Sequence, residues 1–191
     1  MASKGGPAPF IVLPAPVDLR GKLPTSTASA RGYYKRDLAG ITGVTIHWTA
    51  SPCKNGVEAV EAIARAQLKL VASPITGEKF PAIAYSLVVD CRGIVYLCHS
   101  LDVRSWHSGA VVNGIARNVS HIGIAIINDD CPPFAQLYGL SEAILWCEQA
   151  LERELPWEGH KDSFPTACPG PDWGGWSGSL LLALVKLQEG G

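Results

Sequence analysis

The segment that most constrains the fold is the apolar, β-branched run 121-HIGIAIIN-128. Strands that are buried on both faces read as near-continuous hydrophobic runs, so this segment is predicted to be a central strand of a sheet. Period-two patterns predict further strands at 43–50, 84–90 and 94–100, the last two joined as a hairpin through Cys91-Arg92-Gly93. Helical spacing predicts helices at 56–72, 135–154 and 177–190, with Ser141 as a candidate start of the second. Because strands and helices alternate, we expect an α/β fold with a mixed central β-sheet flanked by helices.

The first 39 residues lack this periodicity. They are rich in Gly, Pro, Ser and basic residues, and they predict an extended N-terminal arm that leads into one compact domain at 40–191. The apolar stretch near the start is short and is broken by Pro9, Pro14 and Pro16, which is not the pattern of a signal peptide. We therefore expect a protein that is made in the cytoplasm of the producing cell without a signal peptide and acts outside only after release.

The charge and hydropathy of the chain argue against two classes of partner. The formal net charge is -1, so there is no basic field of the kind that holds nucleic acid or an anionic membrane surface. No apolar run approaches the roughly 20 residues that span a bilayer. We therefore expect no nucleic-acid partner and no membrane insertion. We also expect a monomer.

The chain has six cysteines and no CxxC pair. Without a signal peptide, most of the cysteines are expected to be free thiols. Cys91 and Cys98 flank the predicted hairpin, so they are expected to be the pair that lies closest together.

A Pro-rich loop, 159-GHKDSFPTACPG-170, carries a histidine and a cysteine eight residues apart and is expected to contain no helix. The pair could be incidental, two metal ligands, or a Cys/His catalytic pair. A third candidate, His47, lies on the first predicted strand and faces away from its apolar neighbours, although a strand histidine is more often a partly buried structural residue than a ligand. Together, His47, His160 and Cys168 would supply three N/S ligands and leave one position open, which is the arrangement of a catalytic zinc site.

The remaining histidines carry weaker signals. His107 lies in the loop 104-RSWHSG-109, where it could be a hydrogen-bonded loop residue, a substrate contact, or a residue that supports a metal ligand. His99 and His121 are interpreted as surface histidines at strand ends and receive no role.

Five motifs follow one another in a recognisable order: 44-VTIHWTAS-51, 84-AYSLVVDCRGIVYL-97, 105-SWHSG-109, 118-NVSHIGIAIIN-128 and 159-GHKDSFPTACPGP-171. In these motifs the chain resembles the zinc-dependent N-acetylmuramoyl-L-alanine amidases. This amidase type 2 family includes phage endolysins and is related to animal peptidoglycan recognition proteins. The resemblance covers roughly residues 40–187 and implies the amidase type 2 fold with a zinc ion in a surface groove.

The resemblance also assigns roles to individual residues. It implies one Zn2+ per chain, held by His47, His160 and Cys168. It implies two catalytic residues, Tyr85 and Thr166. It implies substrate contacts from the Trp-His and Asn motifs, namely Trp106, His107 and Asn118. Among the other tryptophans, Trp173 is a further candidate for the groove, whereas Trp48 is expected in the core.

The activity implied by the resemblance is hydrolysis of the amide between N-acetylmuramic acid and L-alanine in bacterial peptidoglycan, through a zinc-activated water, as in endolysin-type lysis of the cell wall. One residue departs from the common pattern, because Ala125 stands where many relatives have a glutamate credited as general base. Asp162 is expected to be a structural hydrogen-bond acceptor rather than a replacement base. Two alternatives stay open: a non-catalytic peptidoglycan-binding protein of the same fold, and a peptidase that uses Cys168 as nucleophile.

Overall fold

The structure, a computed structural model, describes residues 12–26, 33–73 and 76–190. The strands in chain order are β1 (Val17–Asp18), β2 (Tyr34–Lys35), β3 (Gly43–Trp48), β4 (Val71–Ser73), β5 (Glu78–Lys79), β6 (Leu87–Val89), β7 (Val95–Leu97), β8 (Val103–Arg104), β9 (Val111–Val112), β10 (Ile115–Ala116), β11 (His121–Ile126) and β12 (Trp157–Gly159). The α-helices are α1 (Val57–Gln67), α2 (Arg117–Ser120), α3 (Phe134–Leu151), α4 (His160–Ser163) and α5 (Trp173–Glu189).

A six-stranded mixed sheet forms the centre of the molecule, in the order β1-β7-β6-β11-β3-β12. The hairpin β6–β7 is antiparallel, whereas β11 runs parallel to both of its neighbours, β6 and β3. All six residues of β11 are buried. The predicted central strand, the hairpin and the mixed α/β class are therefore confirmed.

Side chains alternate between the two faces of the sheet along each strand, so both faces carry apolar side chains. Helices cover each of these faces. On one face, Val44 and Ile46 of β3 join the core cluster that contains residues of α3 and α5. On the other face, Val88 of β6 packs in a second cluster with Val60 and other residues of α1. His47 lies on the α1 face, so its predicted orientation away from its apolar neighbours is confirmed.

Part of the predicted N-terminal arm contacts the sheet. Strand β1 pairs in parallel with β7 at the sheet edge, and Leu19 is 4% exposed. Farther along, the Tyr33 hydroxyl donates to the carbonyl of Ala82 at 2.9 Å. Residues 1–11 and 27–32 of the arm lie outside the described residues, and the boundary at residue 40 stays a prediction.

Several helix boundaries differ from the sequence prediction. Helix α3 begins directly after Pro133, and the candidate start Ser141 is instead buried in mid-helix, where its hydroxyl donates to the Leu137 carbonyl. Helix α5 begins at Trp173, earlier than predicted, because Trp173 and Trp176 anchor its first turns in the core.

The loop predicted to lack helix contains one short helical turn, α4, and this prediction is wrong. The turn forms because Asp162 accepts a hydrogen bond from the Gly159 backbone N–H, and Pro165 follows only after the turn has ended. The three-residue strand β12 that precedes it was not predicted, because Glu158 and Gly159 interrupt any apolar pattern.

The prediction that most cysteines are free is confirmed, but the prediction that Cys91 and Cys98 are the closest pair is wrong. Cys53 and Cys91 form a disulfide with a Cα–Cα distance of 5.7 Å, while Cys98, Cys131, Cys147 and Cys168 are free. The antiparallel register explains why Cys98 is not the partner: Cys91 lies at the turn, whereas Cys98 lies at the open end of the hairpin, opposite Ser86. The disulfide ties the segment after β3 to the turn between β6 and β7.

Within the three described segments, no helix is both long and apolar enough to cross a bilayer.

Candidate metal centre

The first predicted ligand, His47, is held inside the sheet. Strand β3 is paired with β11 on one side and with β12 on the other, and His47 is 1% exposed. Its partner across the β11 pairing is Ala125, which is fully buried. Because residues paired in neighbouring parallel strands project to the same face, the position where the family resemblance implies a glutamate lies directly beside His47.

The other two predicted ligands come from the loop that follows β12. His160 opens the short helix α4, and the chain then returns so that the Lys161 N–H donates to the Cys168 carbonyl at 2.8 Å. The Asp162 carboxylate accepts from the Gly159 N–H at 2.8 Å and from the Trp173 indole N–H at 2.9 Å. These bonds bring His160 and Cys168 to the same side of the loop, and they confirm Asp162 as a structural acceptor.

The three predicted ligands converge on one point. Their ligand atoms all lie within 4.8 Å of one another, and Cys168 Sγ is 3.5 Å from His47 Nδ1. A tetrahedral zinc with ordinary Zn–S and Zn–N bonds holds two such atoms about 3.5 Å apart. His160 Nε2 is buried and has no hydrogen-bond partner among the described residues, as expected of an atom reserved for a ligand. The donor set therefore fits a zinc ion.

Burial sets the ionisation of these groups. The pKa of His47 is held well below its ordinary value by burial and by the neighbouring His107 and His160. Burial likewise lowers the pKa of His160, although nearby Glu158 opposes the shift. Both rings are therefore neutral at neutral pH and can offer a lone pair to a metal.

The cysteine behaves in the opposite way. Burial raises the pKa of the Cys168 thiol to about 12, although the Trp48 backbone N–H points at Sγ from 3.4 Å and favours the thiolate. Without a cation, the thiol stays protonated at neutral pH. A bound metal reverses this preference, because metal binding to a cysteine releases its proton.

His107 lies behind His47, on the side of the ring opposite Cys168. Its Nδ1 is 3.0 Å from His47 Nε2, and its Nε2 is 3.2 Å from the carbonyl oxygen of His121. The ring is 6% exposed, and burial lowers its pKa to about 3. Substrate binding by His107 stays a prediction, but its hydrogen bonds are those of a residue that supports a metal ligand.

The interpretation of His99 and His121 as surface histidines is wrong. His121 is 5% exposed, and its Nδ1 lies 3.0 Å from the Ser120 hydroxyl. His99 is partly buried, with Nε2 2.8 Å from the Ile83 carbonyl. Strand-end position alone does not reveal burial when the flanking loops fold back over the sheet.

Tyr85 lies between the ligands and a neighbouring cleft. Its ring centroid is 5.3 Å from that of His47, and it lines a cleft of about 300 Å³ together with residues from the segment after β3 and from α1, including Thr49, Ser51, Lys54, Ile63 and Gln67. Burial raises the pKa of the phenol, so the hydroxyl keeps its proton and can donate it in a hydrogen bond.

Thr166 stays close to the ligand loop, where its Oγ1 accepts from the Cys168 N–H at 3.2 Å. The contacts of Trp106 and Asn118, the other two predicted residues, lie outside the loop that carries His160 and Cys168. Trp106 packs edge-on against Tyr33, with ring centroids 5.5 Å apart, and the Asn118 side chain accepts from the Ser108 N–H at 2.7 Å. Of the remaining tryptophans, Trp173 is a core residue and not a lining residue of the groove.

Sequence reasoning missed one ion pair that supports the site. Arg117 makes two hydrogen bonds with Glu158, at 2.9 and 2.8 Å, and both side chains are less than one-fifth exposed. Glu158 also accepts from the Ser163 hydroxyl at 2.8 Å. Because Glu158 lies two residues before His160, the pair fixes the strand that delivers this ligand. The two residues are far apart in the chain and share no motif that could have revealed them.

A family model described as N-acetylmuramoyl-L-alanine amidase matches residues 37–171 of the chain. A search of curated proteins finds no match. Among solved structures, the chain is similar to the endolysin amidase LysCS from Clostridium intestinale, at 15% identity over 85% of this chain and 91% of that one, with a TM-score of 0.59.

Two further structures share the fold. The Ph2119 endolysin of a Thermus scotoductus bacteriophage is 20% identical over 83% of this chain and 93% of that one, with a TM-score of 0.59. Peptidoglycan recognition protein-LE, solved in complex with tracheal cytotoxin, is 15% identical over 82% of this chain and 88% of that one, with a TM-score of 0.63. The predicted amidase type 2 and peptidoglycan recognition protein fold is confirmed.

Proposed function

Because the chain belongs to the N-acetylmuramoyl-L-alanine amidase family, we propose that it is a zinc-dependent peptidoglycan hydrolase that cleaves the amide between N-acetylmuramic acid and L-alanine. The observation that carries the proposal is the convergence of His47, His160 and Cys168 within 4.8 Å. Three protein ligands with one position open are typical of catalytic zinc, whereas structural zinc has four. We propose that this set holds one Zn2+ per chain.

When bound, zinc would supply Lewis acidity, which activates water at neutral pH and polarises an amide carbonyl. The protein contributes hydrogen-bond donors around that reaction. We propose that Tyr85, whose phenol stays protonated and lies next to His47, donates to the oxygen of the reacting carbonyl as charge develops on it. Thr166, whose Oγ1 is bonded to the Cys168 N–H, is the second proposed donor. One preorganised donor of this kind is typically worth about 3–4 kcal/mol in the transition state.

The position of Ala125 beside His47 supports a mechanism without a glutamate base. The two carboxylates that flank His160 in the chain already have partners, Glu158 with Arg117 and Asp162 with Gly159 and Trp173. We therefore propose that kcat/KM shows no rise in the roughly pH 4–6 range where a carboxylate base would ionise. The profile is measured with excess zinc, because the ligands must stay deprotonated to hold the metal. A clear limb near pH 5 with the site full would contradict this mechanism.

The cleft beside Tyr85 suits a polymer with an apolar and a polar side. Its walls combine Ala and Ile side chains of α1 with Thr49, Ser51 and Lys54. We propose bacterial peptidoglycan as the partner, and Trp106, His107 and Asn118 stay predicted substrate-binding residues. We further propose that the protein is a monomer of endolysin type, which reaches the cell wall after release from the producing cell.

Two other functions are compatible with the fold. A non-catalytic peptidoglycan-binding protein is disfavoured because a complete three-ligand set is present. A cysteine peptidase is disfavoured because burial raises the pKa of Cys168 to about 12, whereas a catalytic cysteine needs a lowered pKa.

The decisive experiment combines metal analysis with product identification. The purified protein should contain about one zinc per chain, lose activity in a chelator and regain it with added zinc. Mass analysis of digested peptidoglycan should find glycans with free lactyl groups and peptides with a new N-terminal alanine. Full activity in the chelator would support the cysteine peptidase, and zinc with peptidoglycan binding but no cleavage would support the binding protein.

A further inference from the structure

We propose that the backbone carbonyl of His121 decides, through the ring of His107, which nitrogen of His47 is free to bind a metal. His107 is then a positioning residue, and the three groups form a relay in which each hydrogen bond fixes the next. The inference deepens the proposed zinc site, but its central claim concerns the placement of protons in the metal-free protein.

The relay is a continuous chain of short contacts in the interior. The His121 carbonyl oxygen lies 3.2 Å from His107 Nε2, and His107 Nδ1 lies 3.0 Å from His47 Nε2. On the far side of the His47 ring, Nδ1 lies 3.5 Å from Cys168 Sγ. Both rings are almost fully buried, so water does not compete for these bonds.

The positions of the protons follow from the chemistry of a carbonyl. A carbonyl oxygen only accepts hydrogen bonds, so the His107 nitrogen that faces it, Nε2, must carry a hydrogen. A neutral imidazole has one N–H, which leaves His107 Nδ1 as an acceptor. His47 Nε2 must then be the donor in the contact between the rings. The remaining nitrogen of His47, Nδ1, therefore keeps its lone pair, directed to the side where Cys168 lies.

The surroundings of His107 keep the ring neutral and in place. His47 contacts the ring directly, and the other titratable and charged groups that act on it are His121, His160 and the buried guanidinium of Arg36. Arg36 also donates to the His121 carbonyl. A protonated His107 would therefore place a second positive charge next to the guanidinium, on the same carbonyl oxygen. On β11, Gly123 leaves room for the ring, because a Cβ there would lie 2.6 Å from His107 Cγ.

The relay explains how three residues that are separated in the chain, His107, His121 and Gly123, act together on His47. Without a hydrogen-bonded partner, a neutral histidine distributes its proton between two nitrogens, and part of the population presents the wrong one to a metal. Hydrogen bonds to the non-ligating nitrogen fix the tautomer and the ring orientation, and their loss typically costs 10–100-fold in metal affinity. Here that bond comes from His107, which is itself oriented by the His121 carbonyl and seated against Gly123.

The first test needs no metal and no substrate. Long-range 1H–15N spectra of the metal-free protein report which nitrogen of each histidine carries the hydrogen. We expect the Nε2–H tautomer for both His47 and His107. An Nδ1–H tautomer of His47, or an even mixture, would overturn the proposal.

The second test uses variants that separate the two ends of the His107 ring. In His107→Asn, the side-chain oxygen can take the place of Nδ1 and still accept from His47. In His107→Gln, the terminal amide reaches the place of Nε2 and can bond the His121 carbonyl, but the acceptor for His47 is lost. In competition with a chromogenic chelator, we expect zinc affinity within a few-fold of wild type for His107→Asn and 10–100-fold weaker for His107→Gln.

Gly123→Ala provides an independent check, because it displaces the His107 ring without touching any ligand. We expect its zinc affinity to fall towards that of His107→Gln. Unfolding midpoints identify any variant that fails to fold, and in that case the tautomer spectrum of the wild-type protein still decides. Equal zinc affinity for His107→Asn and His107→Gln would overturn the relay. Zinc binding with the expected tautomers but no cleavage of peptidoglycan would overturn the proposed function alone.

Discussion

The two sides of the candidate metal centre are built in different ways. His47 comes from a strand paired on both edges and is 1% exposed, with its non-ligating nitrogen hydrogen-bonded to a buried partner. His160 and Cys168 come from a single helical turn and a loop, are only partly buried, and leave His160 Nε2 without a partner among the described residues. The strand side is thus preorganised by the fold, whereas the loop side is, in our proposal, completed by a metal. The following predictions test that difference.

The largest effect is expected from removing the ligands. His47→Ala, His160→Ala and Cys168→Ala should each reduce activity to the level of the chelator-treated protein and abolish stoichiometric zinc. The variants should differ in stability, because His47→Ala leaves a cavity in a packed sheet, at a cost of about 2 kcal/mol or more, whereas a more exposed loop position costs less. Zinc content, turnover and urea unfolding of the metal-free variants measure this. Stoichiometric zinc in His47→Ala, or equal unfolding free energies for all three, would contradict the comparison.

Tyr85→Phe tests the catalytic step separately from the metal ligands on either side of the site. The substitution removes only the hydroxyl of a side chain that packs against His47, so fold and zinc content should be unchanged. If the hydroxyl acts in the transition state, kcat should fall about 10²-fold or more, with a smaller change in KM. Steady-state kinetics on a soluble peptidoglycan fragment give the answer, and wild-type turnover would show that Tyr85 only packs.

The disulfide should stabilise the strand side alone. Cys53→Ser with Cys91→Ser opens a link between residues 38 apart in the chain and should lower the free energy of unfolding by about 2–4 kcal/mol. Zinc affinity should change little, because neither cysteine is a ligand. Thiol titration of denatured, metal-free wild type should find four thiols before reduction and six after. Six thiols before reduction would show that the Cys53–Cys91 bond is not formed.

The buried histidines predict a pH dependence of stability. In the folded chain His107 resists protonation down to about pH 3, whereas in the unfolded chain it takes up a proton below about pH 6.5. The unfolded state therefore binds more protons, and stability falls as the pH is lowered through this window. His107 alone should lower the unfolding free energy by on the order of 2 kcal/mol between pH 7.5 and pH 5. In urea unfolding of the metal-free protein, the unfolding free energy of His107→Asn should decline less with falling pH than that of the wild type. Equal pH dependence in the two proteins would show that His107 is not the cause.

The smallest effect is expected in the loop. In Asp162→Asn, one acceptor remains for the bonds from Gly159 and Trp173, so the loop should lose about 1 kcal/mol of local stability. Zinc affinity should weaken by less than 10-fold, and amide exchange should speed up in residues 159–168 while 43–48 stays protected. Faster exchange in β3 as well would show that the two sides are not independent.

The strand side was the more predictable of the two. The alternation in 43-GVTIHWTA-50 and the apolar run of β11 predicted both strands and the direction in which His47 points, because strand periodicity is a local property. The loop ligands were predicted through their motif, but α4 and β12 were missed because they depend on Asp162 and on pairing with β3. The relay, the Arg117–Glu158 pair and the disulfide all join distant segments, and no local pattern in a single sequence encodes such contacts.

The shared carbonyl of His121 has a practical consequence for anyone who shortens this protein. Arg36 donates to that carbonyl and also to those of Leu101, Asn118 and Val119, yet the match to the family model starts at residue 37. A fusion protein or a minimal domain that starts at residue 37 would lack Arg36, which is the residue immediately before that boundary. This loss would remove one hydrogen-bond donor from each of these four carbonyls, including the His121 carbonyl that also bonds His107. A trimmed module should therefore begin no later than residue 33, where Tyr33 still secures the incoming segment against Ala82.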